Sequence, residues 1–189
     1  MNNKENSYKG KIITIPNLLS LFRILLIPII VWLYCVEKKY ELTILVLLIS
    51  GASDIIDGFI ARRFNMISDI GKALDPIVDK LTQGVTLICL LIDFPRLAIL
   101  LFGLLIKEFL LGIKELYSIK KTGVVHGANW HGKLTTCMIY VTLFVHIWWH
   151  DISEVVSFGL VAITFVIMCM SFAMYYVQKK KYMKENIEY

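Results

Sequence analysis

Apolar stretches alternate with short polar segments along this chain of 189 residues. A helix needs about 20 apolar residues to cross the hydrocarbon core of a bilayer. Most of the stretches approach that length, and the fifth reaches it if residues of the preceding loop form its first turn. The pattern therefore predicts an all-α, polytopic membrane protein with six transmembrane helices, which would cover residues 13–36, 42–60, 71–92, 96–113, 134–149 and 155–177.

The basic residues are distributed unevenly between the segments that join these stretches. If the N-terminus is inside, the inner segments carry most of the Lys and Arg residues, and the outer ones carry only Lys38, Lys39 and Arg96. Cytoplasmic loops of membrane proteins are enriched in Lys and Arg. We therefore expect both termini and the loop between the second and third helices to be cytoplasmic, in a protein of the cell membrane. Trp148 and Trp149 would then lie at the outer interface.

Composition agrees with the membrane interpretation. The hydrophobic residues make up 57% of the chain, the mean hydropathy is +0.67, and both exceed what is usual for a soluble domain. The chain is predicted to be a single domain, residues 1–189. Its 20 Lys and Arg residues exceed its 15 acids, but they flank apolar spans, so lipid headgroups are expected as their partner and nucleic acid is not.

The cysteines occur singly in apolar stretches. No CxxC pair is present, which argues against a zinc site and against a disulfide framework. We expect four buried free thiols, at Cys35, Cys89, Cys137 and Cys169.

Four aspartates lie inside or beside apolar stretches, where an ionised carboxylate is costly unless a cation or a hydrogen-bond network receives it. Their spacing places one pair on one face of the second helix and the other pair on one face of the third. Two antiparallel helices could thus direct four carboxylates to one point. Such oxygen ligands suit Mg²⁺ or Mn²⁺, and Mg²⁺ commonly binds substrate phosphates as well. The residues are Asp54, Asp57, Asp75 and Asp79.

The neighbours of these aspartates extend the pattern. Gly58 and Gly71 leave room for a ligand or a helix near the backbone, and Ala61 is also small. Arg62 lies on the aspartate side of its helix, and its guanidinium group suits a diphosphate. Arg23, in the first apolar stretch, either extends to the headgroups or faces the bundle interior, where it would pair with an acid or a phosphate.

The complete spacing, Asp54-xx-Asp57-Gly58-xx-Ala61-Arg62-x8-Gly71-xxx-Asp75-xxx-Asp79, resembles the signature of the CDP-alcohol phosphatidyltransferase family. The resemblance implies transfer of the phosphatidyl group of CDP-diacylglycerol to an alcohol, with release of CMP, by an enzyme that carries two divalent ions on the four aspartates. It implies that Asp79 is also the general base and that the protein is a homodimer. The nucleotide and its diphosphate would be held by Asp54, Gly58, Ala61, Arg62 and Gly71.

The residues leave two acceptor alcohols open. The opening with Pro16, Asn17, Ser20 and Arg23 resembles bacterial phosphatidylglycerophosphate synthases, whose acceptor is glycerol 3-phosphate. The chain departs from them at two points. It has Lys107 before Glu108 where Arg-Glu is usual, and in place of a further Arg it offers Lys114, at a spacing that is one residue shorter. Cardiolipin synthases of the CMP-forming type, which accept phosphatidylglycerol, are the alternative. Acceptor binding is assigned to Lys107, Lys114, Lys133 and Arg23.

Two other functions are compatible with membrane aspartates. A cation transporter would place its acids near the bilayer midplane, commonly between repeated halves, whereas these acids cluster at one edge and the sequence shows no repeat. An inactive homologue would not need the whole signature. His126 and His131, in the predicted loop before the fifth helix, are either ordinary loop residues or acceptor contacts.

Overall fold

A computed structural model describes residues 15–63, 69–122 and 130–185. These residues are helical apart from short turns and contain no strand, which confirms the predicted all-α class. The helices are α1 (Ile15–Val31), α2 (Tyr40–Arg63), α3 (Asp69–Leu90), α4 (Ala98–Thr122), α5 (Trp130–Trp148) and α6 (Glu154–Glu185), with a π-helical segment at Trp32–Val36 and a 3-10 turn at Pro95–Leu97.

The chain forms two compact units, Met1–Cys89 and Leu90–Tyr189. The first contains α1, α2 and all of α3 except its last residue, and the second contains α4, α5 and α6.

Within the described ranges, three helical segments are long and apolar enough to cross a membrane: Asn17–Val36, Tyr40–Ile60 and Glu154–Tyr176. A shorter apolar segment, Gly132–Trp148, lies in α5. Large apolar side chains such as Ile55, Phe102 and Phe158 are exposed, as expected of a surface that contacts hydrocarbon rather than water. The protein is therefore a membrane protein, while the count of six spans and their orientation stay predictions.

One predicted loop was wrong at its start. The loop before the fifth helix was expected to begin at residue 114, but α4 continues to Thr122. The sixth predicted span agrees with the apolar segment Glu154–Tyr176, and α6 itself continues through the basic residues to Glu185. Both extensions contain Lys, Glu and other good helix formers and lack Gly and Pro. Charge marks where a helix leaves the apolar layer, and it does not mark where the helix ends.

In the first unit, α1 packs against α2. The buried face of α1 follows helical spacing through Ser20, Arg23 and Leu26, and that of α2 through Ser53 and Asp57. Because both buried faces contain polar residues toward one end and mainly Leu and Ile residues further along, packing the apolar parts also brings the polar parts together.

The connection between α1 and α2 is tight. The π-helical segment ends at Val36, and Lys38 adopts a positive φ of 52°. The backbone N–H of Lys39 then donates to the carbonyl of Leu33, at 2.9 Å. This turn reverses the chain within a few residues and allows α2 to run back along α1.

In the second unit, α5 and α6 are joined by buried polar contacts. The hydroxyls of Thr142 and Thr164 lie 2.8 Å apart. His146 Nδ1 lies 2.8 Å from the carbonyl of Thr142, and its Nε2 lies 2.9 Å from Ser157 Oγ. The contacts that cross from α5 to α6 stabilise helix packing, and they give His146 a structural role.

The cysteine predictions have a mixed outcome. All four thiols are free, as expected, and Cys89 is buried. Cys137 and Cys169 are exposed, so the expectation that every thiol is buried was wrong. An apolar neighbourhood in the sequence does not distinguish a core position from one that faces lipid, because both are surrounded by apolar residues.

Candidate active site

Arg23 lies at the centre of the polar region of the first unit. Its Nη1 is 2.6 Å from Asp54 Oδ1, and its Nη2 is 3.0 Å from Asp57 Oδ2 and 3.4 Å from Asp75 Oδ1. The side chain of Arg23 is only 2% exposed. Of the two interpretations left open by the sequence, the structure shows the inward one, since one guanidinium group from α1 contacts carboxylates of α2 and α3.

The three carboxylates differ in how far they reach solvent. Asp57 is 3% exposed, whereas Asp75 is 35% and Asp54 is 47% exposed. Asp75 Oδ1 also accepts a hydrogen bond from Ser20 Oγ, one turn before Arg23 on α1. The cluster therefore has a buried side, fixed by Arg23 and Asp57, and an open side on which a soluble group could approach.

Asp79 belongs to the same region. It lies one turn after Asp75 on α3, so the two side chains share a face of that helix. Asp79 Oδ2 accepts a hydrogen bond from Gln83 Nε2 at 3.1 Å. Thus α2 and α3 bring the predicted carboxylates toward a common point, with Arg23 as a partner of three of them.

The carboxylate oxygens are the donor type that Mg²⁺ and Mn²⁺ prefer. Among the described residues, no group of three or more His, Cys, Asp or Glu residues is placed to hold an ion directly. The guanidinium of Arg23 contacts the oxygens that would serve as ligands. The residues fit a hard divalent cation in their chemistry, and binding would require Arg23 to give up some of its contacts.

The remaining signature residues lie near the aspartates in the chain. Gly58 directly follows Asp57 on α2. Ala61 and Arg62 are in the last turn of α2, and Gly71 is in the first turn of α3, but the surroundings of these three residues lie outside the described part of the structure.

The predicted acceptor lysines belong to the second unit. Lys107 is buried, and its Nζ lies 3.7 Å from Glu108 Oε1. It also lines a cavity of about 490 Å³ between α4 and α6, whose other walls are apolar and include Phe102, Phe165 and Phe172. Lys133 is exposed near the start of α5. The side chain of Lys114 and residue His126 lie outside the described residues, as does the side chain of His131.

Two polar residues of the site were missed in the sequence interpretation. Ser20 was part of the recognised pattern without a role, and Gln83 was not considered. The signal for Gln83 was its spacing: it follows Asp79 by four residues in an apolar helix, so the two side chains share a face.

Comparison with known proteins identifies the family. Residues 13–178 match the family described as CDP-alcohol phosphatidyltransferase. The chain is 34% identical over 113 residues to the CDP-diacylglycerol--glycerol-3-phosphate 3-phosphatidyltransferase of Rickettsia typhi. The aligned residues make up 58% of this chain and 64% of the relative. The enzyme of the same name from Aquifex aeolicus is 33% identical over 131 residues, or 68% of this chain and 72% of the relative.

A second type of relative matches a shorter segment. The cardiolipin synthase (CMP-forming) of Streptomyces coelicolor is 41% identical over 76 residues, which is 38% of this chain and 35% of the relative. The family match covers most of the chain and includes every residue of the aspartate cluster. This chain therefore belongs to the CDP-alcohol phosphatidyltransferase family.

Proposed function

We propose that the protein transfers the phosphatidyl group of CDP-diacylglycerol to an alcohol, with glycerol 3-phosphate as the acceptor, and releases CMP. The observation that carries this proposal is the meeting of Asp54, Asp57 and Asp75 at one guanidinium group, with Asp79 one turn after Asp75 on α3. Clustered carboxylates of this kind suit phosphoryl transfer that is assisted by divalent ions. The two relatives named for transfer to glycerol 3-phosphate support the choice of acceptor.

In the proposed reaction, the acceptor oxygen forms a bond to the phosphorus of the phosphatidyl group, and the bond from that phosphorus to the CMP oxygen breaks. Two Mg²⁺ or Mn²⁺ ions held by the four aspartates would neutralise the diphosphate and stabilise the leaving CMP. Asp79 would take the proton of the attacking hydroxyl. Gly58, Ala61, Arg62 and Gly71 would hold the nucleotide and its phosphates.

Arg23 would have a separate role. Its contacts hold three carboxylates together, although these would otherwise repel one another. If divalent ions bound the carboxylates, the guanidinium group could turn from a carboxylate to a substrate phosphate, because it binds both groups with the same geometry. The proposed acceptor-binding cations are Arg23 and three lysines, Lys107, Lys114 and Lys133.

The proposed arrangement in the membrane follows the sequence pattern. Six helices would span the cell membrane with both termini and the aspartate site on the cytoplasmic side, the lipid tails of the substrate would stay in the bilayer, and the protein would be a homodimer. The site position can be tested with a single cysteine at Asn65 or Ser68 in a variant without its own cysteines. Labelling by an impermeant reagent from the outer side alone would contradict this topology.

The reaction is tested with the purified protein in detergent, CDP-diacylglycerol, Mg²⁺ or Mn²⁺, and a panel of acceptors. The expected result is CMP release that depends on added glycerol 3-phosphate, with formation of the phosphorylated lipid product. Asp57→Asn serves as the inactive control. Absence of alcohol-dependent CMP release with every acceptor would contradict the proposal and would favour a transport function or an inactive homologue.

One alternative acceptor has specific support. The match to the Streptomyces relative favours phosphatidylglycerol, since that protein is named as a CMP-forming cardiolipin synthase. The same assay separates the two acceptors. Activity with phosphatidylglycerol and none with glycerol 3-phosphate would assign the protein to the alternative.

A further inference from the structure

Gln83 is a buried polar residue next to the proposed general base. It lies on α3, one helical turn after Asp79, and its side chain is fully buried. Its Nε2 donates to Asp79 Oδ2 at 3.1 Å. Neither the family signature nor the proposed reaction uses this amide.

The orientation of the Gln83 amide follows from its partner. An ionised carboxylate can only accept hydrogen bonds, so the NH₂ group must face Asp79 and the carbonyl must point away from it. Gln83 Oε1 has no hydrogen-bond partner among the described residues, although it is buried. A buried carbonyl without a partner costs free energy that an apolar side chain of the same size would avoid. Helix packing alone would therefore favour Leu or Met here.

The other buried polar residues nearby on α3 behave differently. Thr82 Oγ1 donates to the carbonyl of Val78, at 3.0 Å, and Thr86 Oγ1 donates to the carbonyl of Thr82, at 2.7 Å. These hydroxyls satisfy themselves on their own helix and need no other partner. Gln83 instead directs its donor at the carboxylate of Asp79, and its carbonyl is the group left unsatisfied.

We propose that Gln83 is a positioning residue for Asp79. Its amide fixes one carboxylate oxygen and thereby the rotation of the carboxyl group, so that Asp79 meets the hydroxyl of the acceptor alcohol in one orientation. A general base must lie within hydrogen-bond distance of the proton that it removes, and a displacement of about 1 Å can cost about 100-fold in rate. This inference rests on the proposed function, because it assigns Gln83 a role in that same proton transfer.

The test compares Gln83→Met and Gln83→Leu with the wild-type protein. Both substitutions remove the donor and keep a similar volume, but they differ in shape. Thr86→Val is the matched control, since it removes a buried polar group from the same helix that bonds only to backbone. We expect kcat to fall about 10- to 100-fold in both Gln83 variants, with little change in the KM for either substrate and little change in Thr86→Val.

A second measurement separates positioning from general damage to the fold. Binding of CDP in the presence of Mn²⁺, measured by calorimetry, should stay near the wild-type value in the Gln83 variants. In a protein that already carries Asp79→Asn, Gln83→Met should cause no further loss of kcat, because the residue acts through Asp79.

A failure of the positioning role can be distinguished from a failure of the proposed reaction. If the wild-type protein releases no CMP with any alcohol, the proposed function fails and this inference with it. If the wild-type protein is active, a normal kcat in either Gln83 variant overturns the positioning role alone. The positioning role is also overturned if Gln83→Met lowers kcat as much in the Asp79→Asn protein as it does in the wild-type protein. An equal loss of kcat in Thr86→Val would overturn it as well.

Discussion

The Nη2 atom of Arg23 lies 3.0 Å from Asp57 Oδ2, and both side chains are buried. This pair joins α1 to α2 at the deepest point of the cluster, and the same guanidinium group also contacts Asp54 and Asp75. Removing one partner of a buried ion pair leaves the other charge uncompensated, which is far more costly than losing an exposed pair. The structure therefore predicts that Arg23 stabilises the metal-free protein.

Arg23→Met should lower the stability of the metal-free protein by about 3 to 5 kcal/mol, measured as a fall in the thermal melting temperature in detergent. Adding Mn²⁺ should raise the melting temperature of the variant more than that of the wild-type protein, because the ion supplies the positive charge that the three carboxylates have lost. The measurement needs no enzymatic activity.

Arg96→Met is the matched control for Arg23. Arg96 Nη2 contacts Glu154 Oε2 at 2.6 Å, but this pair is exposed, so its loss should cost at most about 1 kcal/mol. Equal destabilisation by the two substitutions would contradict the role of Arg23, as would an Mn²⁺ effect that is the same in wild type and variant.

Asp54→Asn, Asp57→Asn and Asp75→Asn should each lower turnover by about 10² to 10⁴-fold at saturating Mg²⁺, since the amide keeps the volume but loses the charge that the ions require. The measurement is alcohol-dependent release of CMP. Asp93→Asn is the control, because Asp93 is an exposed aspartate in the turn before α4. Near-normal turnover in Asp57→Asn or Asp75→Asn would exclude the two-ion site.

Asp79→Asn should lose turnover but retain binding of CDP and Mn²⁺ better than the other three variants. Its proposed additional role is to remove a proton, and the amide of Asn cannot act as that base. Calorimetric titration with CDP and Mn²⁺ measures this directly. The assignment of the base would be wrong if, among the four variants, Asp79→Asn alone abolished CDP binding.

The sequence was most informative where helical spacing and chemistry coincide. The pairing of Asp54 with Asp57 and of Asp75 with Asp79 followed from spacing alone, whereas the inward alternative for Arg23 followed from the cost of a charge in an apolar stretch. That one guanidinium group contacts three carboxylates depends on how α1, α2 and α3 meet, which residue spacing within each helix does not determine. Gln83 was missed although its spacing of four residues from Asp79 was visible, because spacing does not show that the amide donates to the carboxylate.

The errors have related physical causes. The expected loop from residue 114 was placed by charge, yet Lys and Glu favour a helix as readily as they favour solvent, and α4 continues to Thr122. The exposure of Cys137 and Cys169 was missed because lipid-facing and core positions have the same apolar composition.

Substitutions of lysines in the second unit test the identity of the acceptor alcohol. A phosphorylated alcohol carries about two negative charges near neutral pH, so its binding should depend on cations beyond those that the aspartates need. Lys107→Ala and Lys133→Ala should each raise the KM for glycerol 3-phosphate strongly and leave the KM for CDP-diacylglycerol nearly unchanged, which initial-rate measurements with each substrate varied in turn would show.

The choice of control decides how this result is interpreted. Lys39→Ala removes a positive charge that is exposed and paired with Glu37 at 2.8 Å in the turn before α2, so it should change neither KM. Lys107 requires particular care, because its buried ammonium group lies near Glu108 and lines an apolar cavity. Lys107→Met, which keeps the apolar stem, should therefore raise the acceptor KM as much as Lys107→Ala does. If the acceptor KM is unchanged in the Lys107 and Lys133 variants, these lysines do not bind the acceptor phosphate, and phosphatidylglycerol becomes the favoured acceptor.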